Sequence, residues 1–332
     1  MQQMILAVLL GCGIPILIGP LMIPLLKRLK FGQTERDDGP QSHLSKEGTP
    51  TMGGLMILVG ILAGTLAFSM TGMEFVLPAL LITFAFGIVG FLDDFIKVRL
   101  KRSLGLRAYQ KIIAQLCIGF IIALFAYNHP DIGSSIYLPF NKVEIDLGIF
   151  YIPFIIFVVI AIVNAVNLTD GLDGLASGVT LIYALTMALI FSSMSAMALE
   201  GGKRLLGDNL QGMAVFSAAV VGACLGFLRF NSFPAKVFMG DTGAFALGGA
   251  IAMMVITSRA ALLLPIMGGC FVASAVSVIL QVGSYKLRKK RVFKMAPLHH
   301  HFELKGIPEV KIVAMYMIIT ALLCMVCLLA YV

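Results

Sequence analysis

"GIVGFLDDFIKVR", residues 87–99, begins as lipid-soluble sequence and ends as charged sequence, with Asp93 and Asp94 side by side at the changeover. Its first half reads as the end of a membrane-spanning helix, and the rest of the chain agrees. Of the 332 residues, 59% are hydrophobic and only 13% are charged, and the mean hydropathy is +0.97. Apolar runs near the length that crosses a bilayer recur at 4–26, 52–70, 76–92, 110–127, 149–166, 175–198, 212–228, 242–258, 261–284 and 310–331. Lipid offers the backbone no hydrogen-bond partner, so each run must satisfy itself as a helix. The alternating, half-polar strands of a membrane barrel are not visible. The expectation is an all-α integral membrane protein of about ten transmembrane helices, forming one domain over residues 1–332.

Charge orients the bundle. The first span has no basic residue before it and Lys27, Arg28 and Lys30 directly after it, the reverse of a cleavable signal peptide. Loops 27–50, 97–111, 229–240 and 285–311 hold 21 of the 25 Lys and Arg residues, leaving Lys142, Lys203, Arg204 and Arg259 for the other side. The positive-inside tendency puts the basic loops in the cytoplasm and both termini on the outer side. The net charge of +8 thus expresses topology. Nucleic acid is not an expected partner, because the cations border spans instead of forming their own domain. All six cysteines lie in apolar spans, and the Cys324/Cys327 pair reads as packing. Residues 128–148 alternate polar and β-prone side chains and suit a short hairpin.

The acids concentrate. Of 17 Asp and Glu, 11 fall in or beside the basic loops, and Asp93, Asp94, Asp170, Asp173 and Asp241 stand at helix ends inside apolar sequence. One acid at the bilayer centre costs about 2.5–3.5 kcal/mol. Five on one side read as a shared polar pocket, a cytoplasmic active-site cleft.

Four stretches carry chemistry. In "NAVNLTDGLDGLA" (164–176), Asn164, Asn167, Asp170 and Asp173 recur every third residue, which aligns them along one side of a helix or tight turn. Gly171 and Gly174 let the backbone leave the helix there; alternatively the stretch is a plain loop with Asp173 capping the next helix. In "RFNSFPAKVFMGDTGA" (229–244), Asp241 either caps a span or joins Asp93 and Asp94 around a divalent cation, and such a set suits Mg²⁺. Asn231 and Phe238 offer an amide and an aromatic face to a base, though Phe238 also fits an interfacial anchor. In "KLRKKRVFKMAPLHHHFELKG" (286–306), the basic run reads as a topogenic or anionic-lipid patch. Three consecutive histidines, His299, His300 and His301, lack zinc-site spacing but suit donors to phosphate or a proton relay. In "HLSKEGTPTMGG" (43–54), Lys46 is either a phosphate contact or part of a helix-capping loop. No P-loop, dinucleotide, zinc-protease or serine-hydrolase motif is present. A pocket of acids with Mg²⁺, ringed by cations at a lipid interface, suits a phosphate-bearing substrate and a lipid partner.

"FLDDFIK", "NAVNLTDGLDGLA", "PAKVFMGDTGA" and "APLHHHFE", in this order, resemble the polyprenyl-phosphate N-acetylhexosamine-1-phosphate transferases. "HLSKEGTPTMGG" and the His triplet are similar to the phospho-N-acetylmuramoyl-pentapeptide transferase branch of that superfamily. The resemblance spans essentially the whole chain. It implies a ten-helix bundle, often a homodimer, in the bacterial cytoplasmic (inner) membrane. It implies transfer of phospho-MurNAc-pentapeptide from UDP-MurNAc-pentapeptide to undecaprenyl phosphate, giving lipid I and UMP in Mg²⁺-dependent peptidoglycan biosynthesis. It further implies that Asp93, Asp94, Asp241 and His299 are catalytic, with Asp241 a metal ligand. Lys46, Asn167, Asp170, Asp173, Asn231, Phe238, His300 and His301 are implied in substrate binding. Exchange of one phosphoanhydride for another needs no ATP motif, and either Asp93 or Asp94 would take the lipid phosphate's proton. A sister enzyme using UDP-GlcNAc, and a cation-coupled transporter, are the alternatives.

Overall fold

A computed structural model describes residues 1–29, 48–69, 72–100, 105–138, 140 and 143–331. Lys46 lies outside the described residues. The architecture is helical, with α1 Gln2–Arg28, α2 Gly54–Phe68, α3 Met73–Arg99, α4 Ala108–Asn128, α5 Tyr151–Thr169, α6 Leu175–Glu200, α7 Arg204–Asn231, α8 Gly240–Thr257, α9 Leu264–Met267, α10 Gly269–Arg288, α11 Leu298–Glu303 and α12 Glu309–Leu328. Among the described residues nine helices are long and apolar enough to cross a membrane, and α2 is a shorter apolar helix. The chain is a multi-pass, all-α membrane protein.

Burial ranks the helices. In α8, 89% of the apolar window lies inside the protein, against 22% in α4 and 28% in α1, α10 and α12. α8 is therefore the axis, with α3 and α5 packed on it, while α1, α2 and α7 form an adjoining group and α6 bridges α7 to α12. Apolar burial gives little drive between helices already in lipid, so close approach depends on small residues. A Cβ at Gly90 of α3 would stand 2.1 Å from the Asp241 carbonyl. Only glycine lets α3 and α8 touch there.

Two expectations need correction. The run 261–284 is not one helix: a 3-10 turn at Ala261–Leu263 and α9 precede a break at Gly268, and α10 then begins at Gly269. Hydropathy cannot register that break, because Pro265 and the Gly268–Gly269 pair are as lipid-compatible as their neighbours while supporting a continuous helix poorly. The run 212–228 is also too short, since α7 starts at Arg204. Its added turns carry Asn209, whose amide donates to Glu74 at the start of α3 (2.8 Å). The expected hairpin is present, with β1 Ser135–Leu138 antiparallel to β2 Val143–Asp146.

Candidate active site

The C-terminal end of α3 and the first turn of α8 bring the acids together. One carboxylate oxygen from each of Asp93, Asp94 and Asp241 lies within 4.8 Å of the others. Asp93 and Asp94 are 0% and 2% exposed, so their charge must be met by protein groups. Adjacent residues on a helix point about 100° apart, and the two aspartates meet different partners.

Asp94 faces the start of α8. It accepts from the Asp241 N–H (3.2 Å), the Thr242 N–H (2.9 Å) and the Thr242 hydroxyl (2.8 Å). A carboxylate on the first amides of a helix meets otherwise unpaired donors and the positive end of the helix dipole. Asp241 therefore does not cap its own helix; Asp94 caps it from α3. Asp93 instead accepts from the Leu106 N–H (2.7 Å) and pairs with two ammonium groups, Lys97 at 2.6 Å and Lys111 at 3.0 Å.

Neither lysine stands among the site residues expected from the sequence, where Lys97 reads only as a possible helix-end partner of Asp94. The Lys97 ammonium also lies 3.0 Å from Asp241 and 3.7 Å from Asp94, and Lys111 lies 2.8 Å from Asp241. Lys97 follows Asp93 by four residues, one helical turn, which is a legible signal. Lys111 sits in the first turn of α4, over the Phe245 ring at 5.6 Å, and nothing local marks it. Asn167, from the last turn of α5, donates to the second Asp241 oxygen at 2.8 Å. One turn deeper, Gln115 of α4 and Asn164 of α5 exchange amide hydrogen bonds (2.7 and 3.3 Å). That pair fixes the depth of Lys111 and Asn167 together.

The expected row 164–173 divides, because α5 stops at Thr169. Asp170 lies in the turn beyond the span. Burial first, then the carboxylates of Asp241, Asp94 and Asp173, push its carboxyl up to about 8. Asp173 is turned away: its carboxylate accepts from the Ala235 N–H (2.9 Å) and its N–H donates to Glu309 (2.6 Å). It does not cap α6, whose cap is Gly174. Asn231 is 3% exposed. It accepts from the Gly174 N–H and the Ser177 hydroxyl (both 3.1 Å) and donates to the Val237 carbonyl (3.0 Å). It ties the Asp170 turn to the loop bearing Phe238. Phe238 is half-buried; its N–H donates to Pro50 and its carbonyl accepts from Gly53, which pins the segment leading into α2.

The three histidines of α11 fan out. His299 is fully buried. A Cβ at Gly171 would lie 2.2 Å from the His299 Nε2 and 3.0 Å from the His300 Nε2, so both rings cover the turn beside Asp170. His301 faces elsewhere: its Nδ1 accepts from the Lys294 N–H (3.0 Å) and its ring meets Phe293 edge-on at 5.5 Å. Desolvation, then Lys305 and Lys294, lower its pKa, which suits a neutral acceptor.

Three hard oxygen donors fit a divalent cation such as Mg²⁺, and three carboxylates against two ammonium groups leave negative charge to receive one. The family model for glycosyl transferase family 4 matches residues 76–259, and a phospho-N-acetylmuramoyl-pentapeptide-transferase signature matches residues 46–58. The chain is 51% identical over 336 residues to the phospho-N-acetylmuramoyl-pentapeptide-transferase of Alkaliphilus oremlandii, covering 98% of this chain and 97% of that one. It is 49% identical over 317 residues to that of Clostridioides difficile (96% and 94% covered) and 46% identical over 325 residues to that of Desulfitobacterium hafniense (97% and 96% covered). With its acids gathered as described and relatives matching it almost end to end, the chain belongs to the phospho-N-acetylmuramoyl-pentapeptide-transferase family.

Proposed function

We propose that the protein transfers phospho-MurNAc-pentapeptide from UDP-MurNAc-pentapeptide to undecaprenyl phosphate, releasing UMP and forming lipid I, as one transferase domain of the bacterial cytoplasmic membrane. Its basic loops and the cleft face the cytoplasm and its termini face outward; a homodimer is the expected assembly. The observation that carries this reading is the Asp93–Asp94–Asp241 cluster with Lys97 and Lys111, held at the ends of apolar helices.

The obstacle to the reaction is repulsion, since an anionic lipid phosphate must approach an anionic diphosphate. Asp241, with an oxygen each from Asp93 and Asp94, would hold Mg²⁺, which supplies the charge neutralisation typical of phosphoryl transfer. A lipid-phosphate oxygen attacks the β-phosphorus, the bond to the UMP oxygen breaks, and UMP departs. Asp93 takes the lipid phosphate's remaining proton. Its side-chain partners are two lysines 31% and 23% exposed, which can shift to phosphate oxygens as the carboxylate is protonated. Asp94 is held by backbone amides that cannot follow such a change, so it positions the first turn of α8. Asn167 orients Asp241. Asp170, His299 and His300 meet the nucleotide sugar at the turn, with Phe238 stacked on uracil and Lys46 on phosphate. Asn231, Asp173 and His301 hold the surrounding loops.

The test is detergent-purified protein with undecaprenyl phosphate, Mg²⁺ and either nucleotide sugar. UMP release and lipid I from UDP-MurNAc-pentapeptide support the reading. Release from UDP-GlcNAc alone makes the protein the sister transferase. Reaction with neither, with Asp241→Ala abolishing solute uptake, makes it a transporter. UMP released before the lipid is added would overturn direct attack, leaving a covalent phosphosugar–aspartate intermediate as the competing mechanism.

A further inference from the structure

Neighbouring side chains on α11 diverge by about 100°. His299 is driven into the interior and His301 is engaged by Lys294, which leaves the central ring to be placed. The His300 Nδ1 lies 2.8 Å from the Glu303 Oε2, one turn along the helix, and the two side chains are only 12% and 8% exposed. An ionised carboxylate only accepts hydrogen bonds, so the pairing puts a proton on Nδ1. The ring's other nitrogen faces the site of the missing Gly171 Cβ. The His300 ring also crosses that of His299 at 63°, with centroids 4.3 Å apart. Ring rotation about χ2 is otherwise soft, and a carboxylate screened from water is what selects one orientation.

We propose that Glu303 is a positioning residue of the transfer, holding His300 by Nδ1 so that Nε2 is presented to the nucleotide sugar at the Asp170–Gly171 turn. This rests on the proposed function. With the proton on Nδ1, the neutral ring offers Nε2 as an acceptor, and holding it fixed lowers the cost of ordering the imidazole when a hydroxyl of the uridine nucleotide arrives. Glu303 contributes through His300, on the nucleotide arm of the reaction and not on the lipid arm.

The experiment is steady-state kinetics of Glu303→Gln with each substrate varied in turn. The expected result is a rise of about tenfold in KM for the nucleotide sugar, the scale of one hydrogen bond to a charged group, with kcat and KM for the lipid phosphate unchanged. In a His300→Gln background, adding Glu303→Gln changes nothing further. An equal loss in that background overturns the proposal, as does a fall in kcat with both KM values intact. If Glu303→Gln does not fold, Glu303→Asp, whose reach is shorter, must raise the same KM; unchanged kinetics overturns the idea. Calorimetric binding of UDP to the same variants separates the two readings. Weakened binding supports the role of Glu303 even where no transfer is detected, and unweakened binding overturns it.

Discussion

α8 carries charge at both ends, and the two ends use it differently. At its start, Asp241 meets Lys97, Lys111 and Asn167 in a setting where Asp93 and Asp94 are nearly inaccessible. Just past its other end, Arg259 forms a two-pronged pair with Glu144 of the hairpin (3.0 and 2.6 Å), but Glu144 is 54% exposed. Arg259 also accepts from the Tyr137 N–H through its carbonyl. Water and salt screen such a pair to about 0–1 kcal/mol. The buried cluster has no such relief, and removing one member strands the others. Ion pairing at the Arg259 end fastens a hairpin; at the Asp241 end it would keep charge ready for the proposed transfer.

The contrast can be broken most directly by Asp241→Asn, expected to lower turnover about 10³-fold, read as UMP release. A variant within tenfold of wild type would remove Asp241 from the reaction. Next comes the division between the paired acids. Asp93→Asn should cost about 10²–10³ in turnover, the range for loss of a general base, with a smaller loss of stability than Asp94→Asn, because the two lysines it releases are partly open to water. Asp94→Asn should lower turnover and also stability, by about 1–2 kcal/mol, because it weakens the cap on α8. Equal destabilisation by the two variants would end that division.

A smaller effect concerns pH. An unfolded Asp170 is ionised by about pH 5, whereas the folded carboxyl keeps its proton until about 8. Folding therefore takes up a proton across that window, and stability falls as pH rises through it. Thermal melts without divalent metal should show Asp170→Asn flattening this slope, with its gain over wild type largest near pH 8. Least affected should be Arg259→Gln, with stability lowered by less than about 1 kcal/mol and turnover intact. A large loss of activity there would show that the two ends of α8 are coupled.

Much of this was legible because a bilayer is a demanding solvent. Apolar length sufficed for most helices, and acids such as Asp93, Asp94 and Asp241 stand out where few acids are tolerated. What stayed hidden depended on backbone breaks and distant partners. A three-residue spacing joined Asn164 to Asp173 only while a helix was assumed to continue, and it ends at Thr169. Lys111 looks like any cation extending from a span edge until α4 is seen beside α8. The fold-back that brings Lys294 to His301 has no signature in the pattern at all.

The Asp94 cap has a mechanical consequence. With Gly90 against the Asp241 carbonyl and Asp94 on the first amides of α8, α3 and α8 are riveted at the very level of the acid cluster. α4 leans chiefly on α5 and only lightly on α3, and it is the most lipid-facing of the helices around the cluster. The floor that bears the acids is therefore stiff, and the wall that bears Lys111 is the one able to yield.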